Sequence, residues 1–137
     1  MTAAAVKLLF PHAVTTRDVT VRVAVSFLPE QSDPAGGRWF WTYHVRLEND
    51  GDQPVRLISR HWIIVDSHGG MNEVRGAGVV GEQPVIAPGA SYDYVSGCPL
   101  TTATGHMSGS YRMVLDDGTA FDAIIPRFPL VGPMVTP

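Results

Sequence analysis

Residues 73–84 read EVRGAGVVGEQP, and within them Gly76, Gly78 and Gly81 fall at the G-x-G-x-x-G spacing of dinucleotide-binding loops. Glycines in such a loop let backbone N–H groups approach a pyrophosphate, and the N-terminus of a following helix adds its dipole. The second half of that device is missing here. EQPVIAPG follows, and Pro84 and Pro88 exclude a helix interior. Two readings remain. In the first, the glycines supply bends, positive φ or close backbone approaches in an edge strand. In the second, Arg75, Gly76, Gly78 and Gly81 form an anion nest, whose successive N–H groups hold a pyrophosphate or nucleotide phosphate without a helix.

A second candidate is SRHWIIVD. Arg60, His61 and Trp62 are three large residues in a row, so on a strand Arg60 and Trp62 share one face and His61 takes the other. Either Trp62 is core with Arg60 as its capping cation, or the trio is a recognition patch, since Trp and Arg are enriched at interface hot spots. The remaining reactive types are scattered. His12, His44, His61, His68 and His106 show no H-x-H or H-x-x-x-H spacing, so no metal ligand is assigned. Cys98, in SGCPL, comes with no base or orienting group, and reads as a small buried apolar group. Asp50, Asp52, Asp116 and Asp117 fall in turns, where aspartate serves the backbone. No catalytic residue and no cofactor is expected, and the chain reads as non-enzymatic.

The elements that must carry these residues are strands. In RDVTVRVAVSF, Val19, Val21, Val23, Val25 and Phe27 alternate with polar or small residues, the period-two pattern of a half-buried strand. RWFWTYHVRLEN puts Trp39, Trp41, Tyr43, Val45 and Leu47 on one face, the centre of the core. PVRLISRHWIIVD begins with Val55 and Leu57 in phase and ends with Trp62 and Ile64 in the opposite phase. Either a bulge near Ser59 and Arg60 switches the face, or the strand is covered on both sides. SYDYVSG is a short strand. GHMSGSYRMVL and TAFDAIIPRF form a hairpin through Asp117-Gly118, with Pro126 and Pro129 marking its end. Pro88-Gly89 suits the centre of a type II turn. About seven or eight strands with no helix predict an antiparallel β-sandwich of the immunoglobulin or fibronectin type III kind.

The totals agree. A chain of 137 residues is one domain's worth and buries enough surface to fold without disulfides or metal. A net charge of −3 with no basic run argues against nucleic-acid partners. No stretch is long and apolar enough for a membrane span, and the single cysteine suits a reducing, cytoplasmic setting. Residues 1–14, MTAAAVKLLFPHAV, read as a loose or edge-strand extension, 15–130 as the sandwich, and 131–137 as a disordered tail. Exposed strand edges offer a surface for a protein partner or a homodimer.

LPEQSDP, SRHWIIVD, EVRGAGVVGEQPVIAPG, YVSGCPL, GHMSGSYRMV and FDAIIPRFPL, in that order, resemble the bacterial ApaG family from about Thr15 to Leu130. The resemblance implies a single fibronectin- or immunoglobulin-like sandwich and supplies no catalytic residues to transfer. It implies an association with cobalt and magnesium resistance or efflux, and gene neighbours for diadenosine tetraphosphate hydrolysis and ribosomal RNA adenine methylation. Related domains in F-box proteins and a polymerase-delta-interacting protein look like protein–protein interaction modules. The family's glycine motif, suggestive of pyrophosphate binding, falls on Gly76, Gly78 and Gly81. The sequence departs from the family in its tryptophan-rich RWFWTYHVRL and its N-terminal extension.

Overall fold

A computed structural model describes residues 9–134. Nine strands appear among them: β1 (His12–Thr16), β2 (Val19–Phe27), β3 (Trp39–Asn49), β4 (Val55–Asp66), β5 (Met71–Ala77), β6 (Val85–Ile86), β7 (Ser91–Leu100), β8 (Thr104–Leu115) and β9 (Ala120–Val131). They form two antiparallel sheets, β1-β2-β3-β7 and β5-β4-β8-β9, with β6 extending the edge of β4 beyond β5. The expected immunoglobulin- or fibronectin-like sandwich is the fold.

β3 alternates buried and half-buried residues along its whole length, with Trp39, Trp41, Tyr43, Val45 and Leu47 inward. The opposite sheet meets them with Trp62, Met107, Tyr111, Met113 and Phe128. Trp62 is the hub of an aromatic cluster, 5.1 Å from Tyr43, 6.0 Å from Phe128 and 6.2 Å from Tyr111, mostly in the edge-to-face geometries aromatic quadrupoles favour. The Tyr94 and Tyr111 hydroxyls satisfy each other inside the core. At one end of the sandwich, buried Asn49 donates to Gln53 O at 2.8 Å and Ile86 O at 2.9 Å and accepts the Gly51 amide at 3.0 Å.

The phase switch in β4 is a bulge. Leu57 pairs Met113 but Ser59 pairs Arg112, so Ile58 is the extra residue that turns Trp62 and Ile64 inward. The Asp116–Gly118 hairpin and the Pro88-Gly89 turn form as expected, the latter with Ala90 N–H donating to Ala87 O at 3.0 Å and Gly89 at φ 77°.

Four boundaries differ from expectation. Of the two forms expected for the extension, His12, Ala13 and Val14 take the edge strand, pairing in β1 with Val23, Arg22 and Val21, so the sandwich begins before Thr15. Residues 1–8 of that extension and 135–137 of the tail lie outside the described residues. Pro126 and Pro129 do not end β9, which runs to Val131. β9 is an edge strand with a register shift beside Pro126, two places where a missing N–H is tolerated. Gly132 and Pro133 are tied down as well: Gly132 N–H donates to Ala103 O at 2.8 Å, and Pro133 O accepts the Trp39 indole at 2.8 Å. β7 continues through Pro99 to Leu100, so SYDYVSG is only its first part. β5, absent from the periodicity reading, is mostly exposed and has no apolar stripe to betray it.

Candidate functional site

The two sheets are joined unequally. Along one side, β9 packs against β1 and β2, and the Ile124 N–H donates to Thr16 Oγ1 at 3.2 Å across the sheets. On the opposite side, β5 and β7 are both terminal strands, and the sheets part between them. The gap is a cleft of about 470 Å³. Its floor is apolar, formed by Trp62, Tyr43, Leu100, Cys98 and Met107, and its rim carries Arg60, Asp66, Asn72 and Ser96. That size and mix suit a binding site.

The backbone of β5 is open along its outer edge. Gly78 N–H donates to Ile58 O at 2.8 Å, and Asp66 N–H to Gly70 O at 2.9 Å. Those bonds set the phase of the antiparallel ladder. The pairs Arg60/Gly76, Trp62/Val74 and Ile64/Asn72 bond inward, and the N–H groups of Glu73, Arg75 and Ala77 point away from β4. β5 has no proline and no bulge among these residues.

The glycine motif sits at the end of this strand. Gly76 is in β5 opposite Arg60. A Cβ on Gly76 would lie 2.8–2.9 Å from three atoms of the Arg60 guanidinium, so the missing side chain is the seat of that group. Arg60 Nη1 donates to Ala77 O at 3.0 Å and Gly78 O at 2.9 Å. Gly78 has φ 62°, and a Cβ there would meet Glu82 O at 2.1 Å. Val79 and Glu82 then exchange N–H···O bonds at 2.8 and 2.9 Å around Val80 and Gly81, both at positive φ, the pattern of a two-residue type I′ hairpin. Val79 is fully buried and Val80 exposed. At its first two residues after Gly76 the motif presents carbonyl oxygens to a cation, those of Ala77 and Gly78 to Arg60. The amides of Gly78, Val79 and Glu82 are engaged by backbone oxygens.

The two sequence candidates thus merge into one place. Arg75 is the cross-strand partner of His61, and Gly76 that of Arg60. The trio Arg60-His61-Trp62 does not form one surface patch. Trp62 is in the core at 2% exposure, because the Ile58 bulge turns it inward. Arg60 shares its face at the cleft rim, held by carbonyls rather than stacked on a ring. His61 is on the outer face, where its Nε2 lies 3.8 Å from Glu73 and has no hydrogen-bond partner. Arg75, on the same face, lies 3.8 Å from the same carboxylate.

Alternation assigns Tyr43 to the inner face, but not that it borders an opening, and Leu100 lies beyond the strand read from SYDYVSG. Asp66 was missed as well; it accepts the His68 and Gly70 amides at 2.8 and 2.9 Å, closing the β4–β5 turn at the far end of the cleft. Burial pushes the Cys98 thiol up to about 11, so it is a neutral, weakly reactive wall of the cleft at pH 7. Burial also raises Tyr43, with the neighbouring Ser96 hydroxyl opposing it. Among the described residues no three His, Cys, Asp or Glu side chains converge as a metal set, and no helix is long and apolar enough to cross a membrane.

Fold and site together define a small antiparallel β-sandwich with one closed seam and one open seam. Residues 29–115 match the ApaG domain. A Bradyrhizobium protein ApaG (strain ORS 278) is 52% identical over 122 residues, 89% of this chain and 94% of that one. A Pseudomonas aeruginosa protein ApaG (strain LESB58) is 56% identical over 119 residues, 87% and 94% of the two chains. A crystal structure from Bordetella pertussis, described as an ApaA protein, superposes with a TM-score of 0.83 at 47% identity, covering 86% of this chain and 96% of that one. The chain belongs to the ApaG family.

Proposed function

We propose that this protein is a non-enzymatic interaction module that takes an extended segment of a partner as an added strand along β5. The carrying observation is the open seam, where an unpaired β5 edge flanks a cleft with an apolar floor. Strand addition uses main-chain bonds for affinity and alternate side chains for specificity, and this edge supplies both. A strand beside β5 places every second side chain over Trp62 and Tyr43. It closes the gap toward β7. On this reading the family's association with cobalt and magnesium resistance acts through the partner.

The test is a phage-displayed random peptide library panned on the full-length protein, with the selected peptides titrated into labelled protein. Amide shifts along Met71–Ala77 and at the cleft support strand addition. Arg75→Pro removes an outward N–H that β4 does not use, and it abolishes binding while Arg75→Ala spares it. Shifts confined to other surfaces, or binding indifferent to Arg75→Pro, overturn it. The alternative of a pyrophosphate or dinucleoside-polyphosphate sensor rests on Arg75, Gly76, Gly78 and Gly81. It is supported by the motif's spacing and by the proximity of Arg75 to His61, and the same titration with pyrophosphate tests it. Saturable shifts at Gly76, Gly78 and Gly81 favour it.

A further inference from the structure

Arg60 is held in place but not neutralised. Both Nη1 protons go to the Ala77 and Gly78 carbonyls. Arg22, Arg46, Arg75 and Arg112 each have a carboxylate within 4.0 Å, and Arg60 has none among the described residues. Its Nε and Nη2 donate to no described protein atom, and neither is a buried orphan, so both are open to solvent. A half-buried guanidinium, fixed at one nitrogen and unpaired on its Nε/Nη2 side, is a fork set for two oxygens of a carboxylate.

Its position along β5 adds a register. The inward residues of β5 are Asn72, Val74 and Gly76, paired with Ile64, Trp62 and Arg60. An added residue opposite Gly76 points its side chain at the Arg60 guanidinium, with no β5 side chain between them. The next inward residue, two positions away, lies opposite Val74 and above Trp62. Among the described residues the only carboxylate lining the cleft is Asp66, six residues from Arg60 along β4 and so about 20 Å away. The groove is therefore cationic at the Gly76 end and anionic at the other.

Resting on the strand-addition reading, we infer that the cleft recognises an extended segment carrying a carboxylate two residues from an apolar side chain. The carboxylate meets Arg60 and the apolar group covers Trp62. The carboxylate comes from Asp, Glu or the free C-terminus of a partner. A phosphate is a poorer match, because no second cation lines the cleft among the described residues.

The experiment uses the peptides selected above, resynthesised with Glu or Gln at the acidic position, and with a free or amidated C-terminus. Binding to the full-length protein is followed by fluorescence anisotropy. The expected result is a Kd at least tenfold weaker for the neutral peptide. Arg60→Gln shows the same loss for the acidic peptide and no further loss for the neutral one, and Arg60→Lys falls between. Whether the Gln or the amide exchange causes the loss identifies the source of the carboxylate. Equal binding of all charged and neutral peptides overturns the inference, and because it varies the ligand it does so even if the Arg60 variants fold poorly. If such peptides still depend on Arg75→Pro, only the carboxylate inference falls. If no peptide is enriched, or none responds to Arg75→Pro, strand addition falls with it.

Discussion

The two seams of this sandwich are made from the same kind of strand and end in opposite states. At the closed seam, β9 lies against β1 and β2, and Phe128 packs with His12, Tyr43 and Trp62 at centroid distances of 6.0–6.1 Å. The indole N–H groups of Trp39 and Trp41 reach from the first sheet to Pro133 O and Val131 O. At the open seam, β5 turns exposed Asn72 and the half-buried Val74 and Gly76 toward the interior, against Ser96 and Cys98 of β7. Small side chains on these facing edges leave the sheets apart. Large aromatic side chains with polar tips draw them together, because one group contributes both buried area and a bond across the gap. A sandwich can thus keep a stable core while leaving one side for recognition.

The largest effect is expected from breaking the closed seam. Phe128→Ala removes a fully buried ring at its centre and should cost about 3–5 kcal/mol, whereas Leu100→Ala at the cleft floor should cost about 2 kcal/mol, since solvent already reaches its neighbours. Urea unfolding of the two variants measures both. Equal losses would mean that the seams do not differ energetically.

Within the open seam, the glycines of the motif separate by role. Gly78→Ala combines a left-handed φ with overlap of a backbone carbonyl, and should cost about 2–4 kcal/mol. Gly81→Ala has the left-handed φ but open space, and should cost about 1–2 kcal/mol. A thermal melt showing the reverse order would remove the close approach to Glu82 as the reason for Gly78.

Alkaline pH probes how dry the seam and core are. Cys98, Tyr43, Tyr94 and Tyr111 are all raised by burial. A raised acid holds its proton more tightly folded than unfolded, so this stability is complete below the unfolded values and lost as pH rises. For Cys98, the loss starts near 9.0 and is complete near 11, about 2–3 kcal/mol, with the tyrosines following above 10.0. Denaturant midpoints from pH 8 to 11 test the direction, and Cys98→Ala removes the earliest part of the slope. A midpoint rising with pH would contradict it.

The closed seam was far more legible in the sequence than the open one. Trp39, Trp41, Tyr43, Val45 and Leu47 announce their face by alternation, and the phase change between Leu57 and Trp62 announces the bulge. Both follow from burial, which writes a period into the chain. The site has no such signature. β5 is an exposed edge, so its residues alternate only weakly. G-x-G-x-x-G names residues without side chains and does not say whether N–H or C=O groups face the ligand. That polarity depends on Arg60, sixteen residues earlier and opposite Gly76 only through the β4–β5 register. Trp62 stood in the same short string as Arg60 and His61 and belonged to the core. Adjacent residues on a strand share a sequence motif but not a surface.

The smallest expected effect sharpens the comparison most. Arg75→Pro in β5 should change stability by under about 1 kcal/mol, because the amide it deletes has no partner in the sheet. Val74→Pro, one residue away, deletes an amide bonded to Trp62 and should cost about 3 kcal/mol or more. Hydrogen exchange on the unaltered protein reads the same alternation without mutation. Along β5, the amides of Glu73, Arg75 and Ala77 should exchange within seconds to minutes, while those of Val74 and Gly76 should be protected. In the closed seam the comparable edge is β9, whose Ile124 amide is covered by Thr16. Protection at Ile124 alongside fast exchange at Arg75 is the expected pattern. Protection at Arg75 in the free protein would mean that the β5 edge is already paired with another copy, and the strand that closes the open seam would then be this protein's own.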